Sequence, residues 1–194
     1  MPVEAGESFE ADELWLFIGS KAQVFWLWLC VSYETGQVWA FDLGARDGDA
    51  ATALMQQFFA HLPQELVHRV LIYTDGYAAY APAIEAQLQQ RGLRAWSDRV
   101  HRSRPKKERR LKARRRQAIN KRRIEKGKSA LRDPDLGATN TAEGINNGLR
   151  ARCAPLVRRS QAFARDPDWF LLRLRWILHH KNKRIFQKHT QSDQ

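Results

Sequence analysis

Three acidic residues stand at places where an acid calls for an explanation. Val70-Leu71-Ile72-Tyr73-Thr74 is a run of β-formers that ends at Asp75 and Gly76. A continuous apolar run of this length suits a strand covered on both faces. Asp75 then falls at its C-terminal end, where open α/β sheets place ligands. Asp12 lies in Glu10-Ala11-Asp12-Glu13-Leu14-Trp15, just before or within another strand. By period two, Glu10, Asp12 and Leu14 share one face and Glu13 turns to the other. Glu143 opens a helix on which Asn146, Asn147 and Arg150 follow at i+3, i+4 and i+7, making one polar face. Brought together, three carboxylates offer the shared oxygen ligands that two divalent cations need for in-line displacement at phosphorus. Mg²⁺ favours such ligands. Each acid also has a plainer reading. Asp75 could cap the helix after it. Asp12 could be a solvated acid on an edge strand. Asn140-x-x-Glu143 fits a capping box.

The surrounding elements must carry these acids. Residues 14–18, 24–32 and 37–43 are rich in Trp, Phe, Val and Leu and predict three strands. Turns at 19–21 and 34–36 are short, so neighbouring strands pair antiparallel. Residues 24–29 are apolar throughout and should be covered on both faces. A helix is expected over about 50–61, with Asp49 as its cap and Leu54, Phe58 and Leu62 at helical spacing. The strand of Val70 follows, then a helix over 77–90, then a short last strand at 93–97. A final helix begins at Asp166-Pro167-Asp168, with Asp166 as N-cap. Its Trp169, Phe170, Leu172, Leu174, Trp176, Ile177 and Leu178 should pack it onto the body.

A chain of 194 residues predicts one domain. Its net charge of +12 points to a polyanion, nucleic acid before membrane. The charge is unevenly spread: residues 1–98 carry −8, residues 99–132 carry +15 and residues 133–194 carry +5. Within the basic tract, 104–128, stand Lys106, Lys107, Arg109, Arg110, Arg114, Arg115, Arg116, Lys121, Arg122 and Arg123. The tract lacks interleaved aromatics, so it suits phosphate contact better than base stacking. Arg150 could hold a phosphate bidentately, and Asn146 could meet a sugar or base edge. Cys30 and Cys153 have no metal-ligand spacing and need no disulfide. No signal peptide or membrane span is expected, which predicts a cytoplasmic protein.

Strand with acid, hairpin, strand, helix, strand ending in acid, and later a helix with Glu is the order of an RNase H-like nucleotidyl-transferase domain. Asp12-Glu13-x-Trp15 with Gly19-x-Lys21, then Thr74-Asp75-Gly76-x-x-x-Tyr80, then Thr139-Asn140-x-x-Glu143-x-x-Asn146-x-x-Leu149-Arg150 resemble the transposases of the IS-one family of bacterial insertion sequences. The likeness continues through Leu156, Arg158, Ser160 and Phe163. It implies an α/β fold of RNase H type, a mixed sheet with three antiparallel strands and then parallel strands, flanked by helices. It implies a DDE transposase in which Asp12, Asp75 and Glu143 are the catalytic acids and hold Mg²⁺ or Mn²⁺, as two ions. The chemistry implied is metal-dependent DNA cleavage at the element's ends and strand transfer into target DNA. A non-catalytic DNA-binding remnant and an RNase H-like nuclease without strand transfer are the alternatives. Asp75 and Glu143 are 68 residues apart, longer than in compact family members, so the tract reads as a basic helical insertion. The catalytic domain is thus expected in two parts, 1–103 and 139–194, around an insertion at 104–138. The expected partners are DNA and further copies of the chain assembled on it, in association with the nucleoid. The family also implies an N-terminal DNA-recognition portion joined by frameshifting, and nothing in this sequence resembles it.

Overall fold

The computed structural model describes residues 6–103, 118–125, 127, 140–153, 156 and 164–192. Strand β1 (Ser8–Phe17) sends alternate side chains into two apolar clusters. Phe9 and Ala11 enter one; Leu14 and Leu16 enter the other. A strand buried on both faces requires cover on both sides. β1 starts well before the expected residue 14, so Asp12 lies mid-strand. The partner strand explains this. β2 (Val24–Ser32) is apolar over nearly its whole length and pairs antiparallel with β1 from Phe17↔Val24 to Phe9↔Ser32. A shorter β1 would leave half of that buried backbone without hydrogen bonds.

Strand β3 (Val38–Gly44) completes an antiparallel trio, and β4 (Leu71–Thr74) joins the other side of β1 in parallel. The expected last strand at 93–97 is not formed. Helix α2 (Tyr80–Gln90) ends in a Schellman motif, with Gly92 at φ +71° and the Leu93 N–H bonded to the Leu88 carbonyl at 2.8 Å. Leu93, Trp96 and Val100 then recur at helical spacing, and the chain makes a 3₁₀ turn (Arg94–Trp96) and one turn of helix, α3 (Ser97–Val100). The fifth strand, β5 (His101–Ser103), follows and pairs parallel to β4. The sheet order is β3-β2-β1-β4-β5, the mixed sheet expected from the sequence.

Helix α1 (Gly48–Ala60) and α2 cover one face, where Leu54, Phe58, Phe59, Ile84 and Leu88 pack on Phe9, Trp28 and Ile72. The cap of α1 is Asp47, not Asp49: its Oδ1 accepts from the Ala50 N–H at 3.0 Å, which places Asp49 inside the first turn. Helix α4 covers residues 118–125, with Lys121 and Arg122 exposed and Arg123 half-buried. The remainder of the expected 104–138 insertion, apart from Gly127, lies outside the described residues, and so do Lys106, Lys107, Arg109, Arg110, Arg114, Arg115 and Arg116.

The other face is covered by α5 (Asn140–Arg152) and α6 (Pro167–Ser192). Asp166 caps α6 as expected, accepting from the Trp169 N–H at 2.9 Å. Phe170, Leu174 and Leu178 are buried, but Trp169, Leu172 and Trp176 are exposed. A helix presents a single stripe to a sheet, and these three residues fall on another. Asn182 seals the sheet's outer edge by both accepting from the Val38 N–H (3.0 Å) and donating to its carbonyl (2.7 Å).

Candidate active site

The parallel pairing of β1 with β4 runs from Ser8↔Leu71 to Ala11↔Thr74. One step further, Asp12 stands beside Asp75, just past the end of β4. Gly76 there has φ +93°, a left-handed conformation that suits glycine, and it turns the chain away from the sheet. Asp75 is nearly buried, and its Oδ1 accepts from the Tyr77 N–H at 3.0 Å, an Asx-type turn. Helix α2 begins only at Tyr80 and has no side-chain cap, so Asp75 is not its cap.

Among the described residues, one group of acids has ligand atoms all within 4.8 Å of one another: Asp12, Glu13 and Asp75. Glu13 is the member that sequence reasoning left out. Alternation along β1 turns it to the α2 side, as expected, while Asp12 faces α5. The two still meet because both flank the place where β4 stops. The available signal was the doublet Asp12-Glu13 in an otherwise apolar strand.

Burial pushes the Glu13 carboxyl up to about 7, and the neighbouring negative charge of Asp75 adds to the rise. Arg46 works the other way, with its guanidinium 3.7 Å from Glu13 Oε2. That guanidinium lies over the rings of Trp26 (4.7 Å) and Tyr77 (4.3 Å), and the Tyr77 hydroxyl donates to the Arg46 carbonyl at 2.7 Å. Its position is thereby fixed. The Tyr80 hydroxyl also favours the Glu13 anion, though it stops short of a full hydrogen bond, and Glu13 Oε1 is buried without a partner. An acidic group this crowded, with an orphaned carboxylate oxygen, fits a hard divalent cation.

Helix α5 is fastened to β1 at two points. The buried Glu10 carboxylate accepts from the Ala142 N–H at 2.8 Å, so a strand residue caps this helix end. Burial nevertheless raises the Glu10 carboxyl to about 7; its bonds to the Ala142 and Thr141 N–H groups lower it only in part. One turn on, Asn146 Nδ2 donates to Asp12 Oδ2 at 3.1 Å. Asn146, on the polar face that also carries Glu143, is only 4% exposed and faces the acids. Glu143 lies between these two attachments and is exposed; its charge contributes to the rise at Glu10. It is not one of the three acids within 4.8 Å of one another. Arg150 is half-buried, and its Nη1 donates to Asn147 Oδ1 at 3.3 Å.

A family model described as IS1 transposase matches residues 8–132, more than half of the chain. The chain belongs to the IS1 transposase family. The family match includes Asp12, Glu13 and Asp75 and ends before Glu143. The chain is also similar to the insertion element iso-IS1n protein InsB of Shigella dysenteriae, with 41% identity over 46 residues. That stretch is 24% of this chain and 35% of the relative, so the chain spans about a third of the length of the curated relative it matches. No solved structure matches the chain. Among the described residues, no helix is long and apolar enough to cross a membrane.

Proposed function

We propose that the chain is the catalytic portion of a DDE transposase, with an RNase H-like domain formed by 1–103 and 139–194 around a basic insertion. The observation that carries this reading is the meeting of Asp12 and Asp75 across the parallel β1–β4 pair, beside a helix that bears Glu143 and is fastened to the same strand. Family membership supports it. Asp12, Asp75 and Glu143 are the catalytic acids, and Glu13 is a further carboxylate available to the same cations. Two Mg²⁺ or Mn²⁺ ions, when bound, supply charge neutralisation at the reacting phosphorus.

The chain's own residues do the positioning. Asn146 holds one oxygen of Asp12, and the Asx turn at Tyr77 orients Asp75. Arg46 limits the negative charge gathered at Glu13. Water attacks phosphorus at the element's end and displaces a 3′-oxygen. That freed 3′-hydroxyl then attacks a phosphorus of target DNA and displaces a second 3′-oxygen. DNA is the substrate and partner, bound through Arg150 and the basic tract by copies of the chain assembled on it. Incubating labelled DNA ends with Mg²⁺ tests the reading, with joined products expected from the unaltered chain. Asp75→Asn should abolish cleavage and joining while leaving DNA binding intact. Cleavage retained in that variant would overturn the site, and cut products that are never joined would reduce the enzyme to a nuclease.

A further inference from the structure

The outward face of α6 has no part in the acidic site, yet it is chemically distinctive. Trp169 and Trp176 are 75% and 65% exposed. Seven positions apart, they point the same way from the helix, with about 10 Å between them along its axis. Arg173 stands between them on that stripe, and His180 and Arg184 continue it. The Trp176 and His180 rings meet edge to face at 4.4 Å between centroids. Beside them is an open cleft of about 420 Å³ lined by Arg173, Trp176, Ile177, His180, Lys181 and Arg184.

The helix itself is firmly held. Phe170, Leu174 and Leu178 are buried in the core, Asn182 is bonded to the β3 edge, and Lys181 donates to the Gly36 carbonyl. The aromatic face is therefore a rigid platform. Large exposed rings usually mark a contact surface. Charge identifies the occupant: Arg173 and Arg184 stand on the stripe of Trp169, Trp176 and His180, no acid shares it, and residues 167–192 as a whole hold six Lys/Arg against one Asp. Two copies of so cationic a face would repel each other, whereas a polyanion would be drawn in. A duplex offers phosphates and base edges but keeps the faces of its bases stacked. Indole rings interleaved with cations match unpaired bases, with the face of each base on a ring and the phosphates on Arg.

We propose that the outer face of α6 binds an unpaired DNA strand, with bases stacked on Trp169 and Trp176 and phosphates held by Arg173 and Arg184. This rests on the proposed DNA-processing function only for the identity of the polyanion. Its test is a binding measurement in EDTA, so failure of cleavage and failure of stacking remain separate results. The probes are a labelled oligothymidylate of about 20 nucleotides and a blunt duplex of similar length, read by fluorescence anisotropy with the full chain. Trp169→Ala with Trp176→Ala should weaken oligothymidylate binding about tenfold or more and duplex binding less than about threefold. Trp169→Phe with Trp176→Phe, which keeps a ring at each site, should stay within about threefold of the unaltered chain. Photocrosslinking of a bromodeoxyuridine oligonucleotide to the unaltered chain should label Trp169 or Trp176, a readout that no folding defect can mimic. Equal losses on both probes, no loss on either, or crosslinks confined to other residues would overturn the proposal. Loss of a dimer in the Ala variant with oligothymidylate binding unchanged would overturn it in favour of self-association.

Discussion

Replacing Glu10 by Gln should change how the stability of the fold depends on pH. Glu10 is fully buried against the end of α5, and its carboxyl titrates at about 7 instead of an ordinary 4.5. Between those values the folded state binds the proton more tightly than the unfolded chain. The favourable contribution is therefore fully present below about 4.5 and is lost as pH rises through about 7. The full loss is about 3 kcal/mol, of which about 2.5 kcal/mol falls between about pH 5 and about pH 8. Gln cannot ionise and carries no such loss. It can still accept from the Ala142 N–H, although its amide nitrogen would replace Oε1, which has no partner, at a cost of about 1–3 kcal/mol. That cost is the same at every pH, so the informative quantity is the change in the difference between the two proteins. Urea unfolding followed by circular dichroism, in EDTA and across this pH range, should show the variant gaining about 2.5 kcal/mol on the unaltered chain. A difference that stays constant within about 0.5 kcal/mol would refute the claim that burial governs this carboxyl.

Deleting 104–128 should weaken binding to every duplex and flatten a log–log salt slope of about −5, as for about six phosphates, while the sheet stays folded; an unchanged slope would remove the tract from the DNA interface. Mg²⁺ at about ten times its dissociation constant should stabilise the unaltered chain against urea by about 1.4 kcal/mol, and Asp12→Asn should lose that gain. Asn146→Ala should slow Mg²⁺-dependent cleavage with little change in DNA affinity, because the residue touches Asp12 from a buried position; a matching loss of affinity would place it in direct contact with DNA.

The apolar patterns made most of the sheet legible. Residues 24–32 and the run ending at Asp75 could be little else than strands, and the turns between the first three strands fixed their antiparallel order. Asp12 and Asp75 stood out because each interrupts such a run. Glu13 was passed over because alternation put it on the far face, and only the end of β4 lets it meet acids on the near one. Such a strand end is a tertiary fact. The stretch 93–97 was misread as a strand because its Leu and Trp suit either element; Gly92 was the local sign that a helix was closing. Trp169 and Trp176 were assigned to the core on hydrophobicity alone, yet their spacing from Phe170 and Leu174 already set them on another side of the helix. The bond from Glu10 to the start of α5 had no local signature at all.

That bond joins residues 132 positions apart, and the one from Asn146 to Asp12 joins residues 134 apart. Both close loops that span most of the chain, so their entropic cost must be met before any stabilising contact is gained. Folding order follows from this. The β1–β2–β3 meander and the α1–β4–α2 layer are assembled from nearby segments and can form while the chain is still being synthesised. The helix carrying Glu143 can dock only after residue 150 is available, onto a strand already in place. A chain interrupted in synthesis before that point would hold Asp12, Glu13 and Asp75 close together without the Asn146 bond to Asp12. That contact is thereby reserved for chains that have been made at least that far.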